Sequence, residues 1–157
     1  MDLAGKTALI TGTRRIGAVV AASLASAGAD VAIVYNKSKT EADEAAANAR
    51  NHGRRAFVLQ ADLSEPAQCA TLVDRAVKEL GRLDVLVNMA SIYVSIPFDQ
   101  LTVAQYDENM NVDLRSAFIC SRSATGVARP SSVKSKVGCP QGCGLEWIKI
   151  RYFTTSS

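Results

Sequence analysis

The chain has 157 residues, of which 48% are hydrophobic and 21% charged, with a formal net charge of +3. That length suits one domain with a buried core, and that balance excludes a disordered chain. Residues 1–124 hold 13 basic and 14 acidic side chains and residues 125–157 five basic and one acidic; five scattered cations make no dense patch of the kind that grips nucleic acid or a membrane surface.

No signal segment precedes Met1-Asp2-Leu3, and no apolar run reaches the roughly 20 residues of a spanning helix, so a cytoplasmic protein is expected. Cys69 and Cys120 fall inside helical apolar patterns, where a free thiol is an ordinary small core group. Cys139 and Cys143 are spaced as if for a metal, but the only histidine, His52, is far away in sequence. With fewer than three ligands at hand, no metal site is expected.

The elements alternate along the chain. "TALIT" (7–11) is a short continuous apolar run, as a parallel strand buried on both faces requires. Ile16, Val19, Val20, Ser23, Leu24 and Ala27 recur at helical spacing, with Gly28 as the stop. "DVAIVY" (30–35) is the second strand, and Ser38 with Glu41 has the spacing of a capping box opening an alanine-rich helix that ends at Gly53. "AFVLQ" (56–60) is the third strand. Ser64, Glu65 and Pro66 start a helix whose inner face is Cys69, Leu72, Val73, Ala76, Val77 and Leu80, closed by Gly81. "DVLVN" (84–88) is the fourth strand. Thr102 and Gln105 form a second capping box, opening a helix to about Ala124 with a face of Val103, Tyr106, Met110, Leu114, Ala117 and Phe118. Strict alternation predicts right-handed βαβ units: an α/β, Rossmann-like, doubly wound parallel sheet of about four strands, order 3-2-1-4. From about residue 125 the periodicity stops, and residues 125–157 read as an irregular tail with one weak strand pattern, "LEWIKIRYF" (145–153). The predicted division is therefore a dinucleotide-binding part over 1–124 and a tail over 125–157.

Gly12 and Gly17 bracket the first strand-to-helix corner, "TGTRRIG" (11–17). Such a corner aims a helix N-terminus, with its free N–H groups and positive dipole end, at the space beyond the strand, which favours an anion. A nucleotide triphosphate loop would continue with Lys and Ser or Thr, but Ala18 and Val19 follow here. The dinucleotide spacing with glycines at positions one, three and six does not fit either.

"TGTRRIG" resembles the Thr-Gly-x-x-x-Gly-x-Gly turn of the short-chain dehydrogenase/reductase family. "ADLS" (61–64), "NMAS" (88–91) and "NVDL" (111–114) resemble three further elements of that family in register, and the variants are most like those of pteridine reductases and ketoacyl-carrier-protein reductases. The resemblance implies that Gly12, Arg14 and Gly17 surround a pyrophosphate, with Arg15 and Ile16 also among the cofactor-binding residues. It implies that Asp62 accepts from the adenine amine beside Leu63, and that Asn88 and Ala90 hold the inner ribose. Asn111 would fix a water of the proton relay. Relative to the family turn, the outer glycines here stand five apart, not six, and an arginine occupies about the place of the middle glycine.

An acid at the end of the second strand would bind a ribose 2′-hydroxyl and repel a 2′-phosphate. That strand ends in Tyr35, Asn36, Lys37 and Ser38. With Arg14 nearby in the turn, the charges favour NADP(H) over NAD(H).

The family's proton donor is a tyrosine, with a lysine four residues on and a serine on the preceding strand. The one Tyr-x-x-x-Lys of this sequence is Tyr35 to Lys39, at the expected adenine end, and it is read as coincidence. Three functional readings follow. One is an oxidoreductase that transfers hydride to or from a carbonyl or alcohol substrate. The second is a dinucleotide-binding fragment or frameshifted product without turnover. The third is a protein that binds a partner through its tail. A frameshift near codon 124 would be revealed by a Tyr-x-x-x-Lys helix in another reading frame. The helix over 103–124 offers an apolar face for pairing with a second copy.

Overall fold

The computed structural model describes residues 2–14, 16–92 and 95–127. Four parallel strands, β1 (Thr7–Thr11), β2 (Asp30–Tyr35), β3 (Ala56–Gln60) and β4 (Val85–Asn88), form one sheet in the order β3-β2-β1-β4. The helices between them are α1 (Ile16–Ser26), α2 (Lys39–Asn51) and α3 (Pro66–Leu80). After β4 come a short 3₁₀ turn (Phe98–Gln100), α4 (Val103–Met110), a π-helical segment (Asn111–Arg115) and α5 (Ser116–Val127). The expected fold class and strand order are those observed. The possible strand over 145–153 lies outside the described residues, as do Cys139 and Cys143. No described helix is long and apolar enough to cross a membrane.

The strand runs are continuous in hydrophobicity because both faces of the sheet are covered. Alternate residues separate the two cores. Ala8, Ile10, Val31 and Ile33 face α1 and α2, where the partners are Ala21, Ala25, Ala42, Ala45, Ala46 and Ala49. Leu9, Ala32, Val34 and Leu59 face α3 and α5, meeting Cys69, Leu72, Val73, Ala76, Leu80, Cys120 and Ala124. The inner face expected for α3 is therefore the one that packs, with Val77 at its margin. Cys69 and Cys120 are free and fully buried between α3 and α5. Burial pushes both thiols up, Cys120 to about 12 with a further contribution from Cys69 beside it.

Three local expectations are corrected. Helix α1 does not pack through the larger residues: Ile16 and Val19 are exposed, and Gly17, Ala21 and Ala25 are the buried ones. The helix is apolar all round, so periodicity does not choose its face. The small side chains do, because they let α1 approach the sheet and α2 closely. Ser38 is the N-cap residue of α2, but its side chain caps nothing. Its ψ of 64° is outside the extended region that a capping residue adopts, whereas Thr102 does close a full capping box with Gln105. The helix expected to run unbroken from 102 to 124 is interrupted by the π-helical segment, which slips its phase. It continues to Val127, and it buries Ser116, Ala117, Cys120 and Ala124. Val103, Tyr106, Leu114 and Phe118 remain exposed.

The amino ends of the strands are tied by two carboxylates. Asp30 receives Arg54 Nη2 at 2.8 Å, Arg55 Nε at 2.7 Å and the Arg55 backbone N–H at 3.0 Å. Burial would raise its carboxyl, but the Arg55 hydrogen bonds and the Arg54 and Arg55 charges outweigh this and hold it below the usual 3.8. Asp84 is likewise desolvated, and is held low by Arg82, the Thr7 N–H and Lys6. Both groups bind protons less readily folded than unfolded. Their stabilisation is complete above the unfolded value and is lost as pH falls through the folded one. Denaturant midpoints measured from about pH 5 to about pH 2 should therefore fall steeply toward the acid end. Asp30→Asn should flatten that fall and cost about 2 kcal/mol at neutral pH, since its partners are part-exposed.

Candidate cofactor site

In an order of β3-β2-β1-β4 the strand order reverses between β1 and β4, and a doubly wound sheet binds ligands in the crevice at the carboxyl ends of those strands. The end of β1 is fastened there. Thr11 and Asn88 are register partners. The Met89 N–H donates both to the Thr11 carbonyl and to Thr11 Oγ1, each at 3.0 Å, and the Ala90 N–H reaches the same hydroxyl at 3.4 Å. On the other side, Gly12 N–H and Thr13 Oγ1 both donate to the Val34 carbonyl, at 3.2 Å each. The turn is thus held between β2 and the loop after β4.

Both glycines are required, for a reason the sequence does not reveal. Gly12 has φ +89°, and a Cβ on it would lie 2.9 Å from the Met89 carbonyl oxygen. A Cβ on Gly17 would collide with the Gly12 carbonyl. The missing side chains make room for protein backbone, and that close packing sets the head of α1 over the crevice. Helix α1 begins at Ile16, with Gly17 in its first turn, so the five-residue spacing is accommodated by a short turn. No acid stands in that first turn, which leaves the positive end of the helix dipole uncompensated. Arg14 is exposed beside it, and Ile16 is exposed at the helix start. Arg15 lies outside the described residues.

The second wall is the corner after β3. Asp62 Oδ1 accepts from Ser64 Oγ at 2.7 Å and from the Ser64 N–H at 2.9 Å. The Ser64 hydroxyl and then its N–H hold the Asp62 carboxyl below the usual carboxylate range, with smaller help from the Asn36 side chain and the Lys37 charge. The structure therefore brings Asn36, Lys37 and Asp62 together at the ends of β2 and β3. Gln60 Nε2 donates to the Asn36 carbonyl at 3.2 Å and reinforces this contact. The Leu63 side chain is buried in the core below.

The third wall is the end of β4. Asn88 Nδ2 donates to Ser121 Oγ at 3.2 Å, while its Oδ1 is buried with no partner among the described residues. Ala90 is half-buried above Gly12. Asn111 opens the π-helical segment, half-buried. Ser91 is bonded to Asp113, and Tyr93 and Val94 lie outside the described residues. Sequence reasoning missed Thr11, Thr13, Asp113, Arg115 and Ser121. Asp62 with Ser64 two residues on carried a local signal, that of an aspartate side chain accepting from its own turn.

A cavity of about 330 Å³ also opens between α1 and α2, lined by Thr13, Ala18, Glu41, Glu44, Ala45 and Asn48. Its two glutamates make it unsuited to a phosphate.

The pattern of the short chain dehydrogenase family matches residues 6–131, and the chain belongs to that family. A hydroxynaphthalene reductase of Aspergillus fumigatus is 33% identical over 148 residues, covering 89% of this chain and 54% of its own length. A short chain dehydrogenase of Burkholderia cenocepacia, solved in complex with NADP, is 41% identical with a TM-score of 0.77, over 81% of this chain and 52% of that one. A blue fluorescent protein from a metagenomic library, solved with NADPH, is 37% identical with a TM-score of 0.74, over 80% and 52% respectively. The chain spans about half the length of the curated relatives it matches.

Gly12→Ala should cost about 2 kcal/mol or more, because an unfavourable φ is compounded by a clash with fixed backbone. Gly53→Ala, with a similar φ of +72° and open space around it, should cost about 1 kcal/mol. Denaturant titration of both variants measures the difference.

Proposed function

We propose that residues 1–124 form an NADP(H) site and that the chain, as given, binds the dinucleotide without turning it over. The single observation that carries this reading is the crevice whose floor is the Gly12 turn on the Met89–Ala90 backbone. Asp62 stands on one flank of it and Asn88 on the other. The α1 N-terminus with Arg14 would hold the pyrophosphate, Asp62 the adenine amine, and Asn88 with Ala90 the inner ribose. Asn36 and Lys37, with no acid at the end of β2, support a 2′-phosphate there. When bound, the cofactor supplies hydride chemistry toward a carbonyl or alcohol. The likeness of the turn to pteridine and ketoacyl-carrier-protein reductases supports that substrate class.

Among the described residues the one Tyr-x-x-x-Lys pair stands away from β4. Tyr35 and Lys39 sit at the β2–α2 corner, and Lys39 is bound to Asp43 at 2.5 Å on the surface of α2. That pair cannot serve a carbonyl beyond β4. The second reading, an active oxidoreductase, is favoured by family membership and requires a serine, tyrosine and lysine from elsewhere.

Calorimetric titration should give NADPH binding about tenfold tighter than NADH, and Lys37→Ala or Arg14→Ala should erase most of that preference. No heat with NADPH at millimolar concentration would end the proposal, and carbonyl-dependent NADPH oxidation by the purified chain would favour the second reading. The exposed Tyr106, Leu114 and Phe118 support pairing with a second copy through residues 103–124. Light scattering should then show a dimer that Leu114→Glu with Phe118→Glu converts to a monomer; an unaltered chain already monomeric would refute it.

A further inference from the structure

The π-helical segment Asn111–Arg115 holds two charged residues that reach two different walls of the crevice. Asp113 uses both carboxylate oxygens on consecutive residues beyond β4. Oδ2 accepts from Ser91 Oγ at 3.0 Å, and Oδ1 accepts from the Ile92 backbone N–H at 3.0 Å. Arg115 Nη2 donates to the Ser64 carbonyl at 3.1 Å. Ser91 directly follows Ala90, and Ser64 is the residue whose hydroxyl and N–H hold Asp62. Residues two apart on a helix point to nearly opposite sides, so one short segment can grip both loops.

We infer that Asp113 and Arg115 are positioning residues that brace the two loops of the dinucleotide site, Asp113 on the nicotinamide side and Arg115 on the adenine side. The inference rests on the reading that this crevice binds NADP(H). The two grips differ in strength. Asp113 makes two charge-assisted bonds and fixes both a side chain and the backbone beside it. Arg115 is an exposed side chain making one bond to a carbonyl. The brace therefore acts unevenly along the ligand: losing Asp113 loosens the nicotinamide half while leaving the grip on adenine intact.

That asymmetry is what the experiment reads. The full chain and its variants are titrated with NADPH and with 2′,5′-ADP, which has the adenine and the 2′-phosphate but no nicotinamide half. Asp113→Ala should weaken NADPH about tenfold and leave 2′,5′-ADP within about twofold. Asp113→Asn, which keeps one acceptor oxygen, should fall between. Arg115→Ala should weaken both ligands alike, by about threefold. Ser91→Ala removes one of the two bonds without touching the helix. It should reproduce the split at smaller size, and it stands in if Asp113→Ala does not fold. Equal losses for both ligands, or none for either, in a folded Asp113 or Ser91 variant overturn the inference while leaving the site reading intact. Failure of the unaltered chain to bind either ligand overturns both.

Discussion

The structure depends on one contact: the backbone of Gly12 lying against the Met89–Ala90 peptide, with the Thr11 hydroxyl bonded to the two N–H groups there. This contact joins the ends of two strands that are neighbours in the sheet but more than seventy residues apart in the chain. It sets the height of the α1 N-terminus above the sheet and fixes where the loop after β4 begins. A side chain at Gly12 would part the two strands' ends, and the crevice they enclose would lose its floor.

Around that seam the site is built from three loops held by other parts of the molecule. The turn after β1 hangs on the Val34 carbonyl. The corner after β3 is closed on itself by Ser64. The loop after β4 is held by Asp113 of the π-helical segment. Helices with a single π turn often mark functional places, and here the departure has a visible outcome: the segment contacts both flanks of the crevice. Pre-set loops lower the ordering cost that a flexible crevice would otherwise bear on binding a ligand.

The strands and their order were legible because a parallel sheet covered on both faces leaves continuous apolar runs, as in "TALIT" and "DVAIVY". The inner face of α3 was legible because its large residues fall on one stripe. Helix α1 was not, since it is apolar on every side and the choice was made by the absence of bulk at Gly17, Ala21 and Ala25. The capping box at Thr102 closed and the one at Ser38 did not, because spacing alone cannot fix the backbone angle that a capping side chain needs. At the site, the glycine corner could be picked out by type and spacing, and Asp62 by the resemblance of its stretch to a family element. Asp113 and Arg115 could not, because on a helix with no visible phase slip they read as ordinary solvated charges.

Cys69 and Cys120 meet where α3 crosses α5, without solvent and with thiols that stay protonated well above neutral pH. A thiol reagent attacks the thiolate and needs access, so these two sulfurs are silent while the helices are packed. Their modification rate measures how often α5 lifts from α3, and thus how often the helix carrying the brace lets go of the sheet. The molecule in this way contains its own clock for opening, at two sites whose alkylation would also wedge the core apart and make each recorded event irreversible.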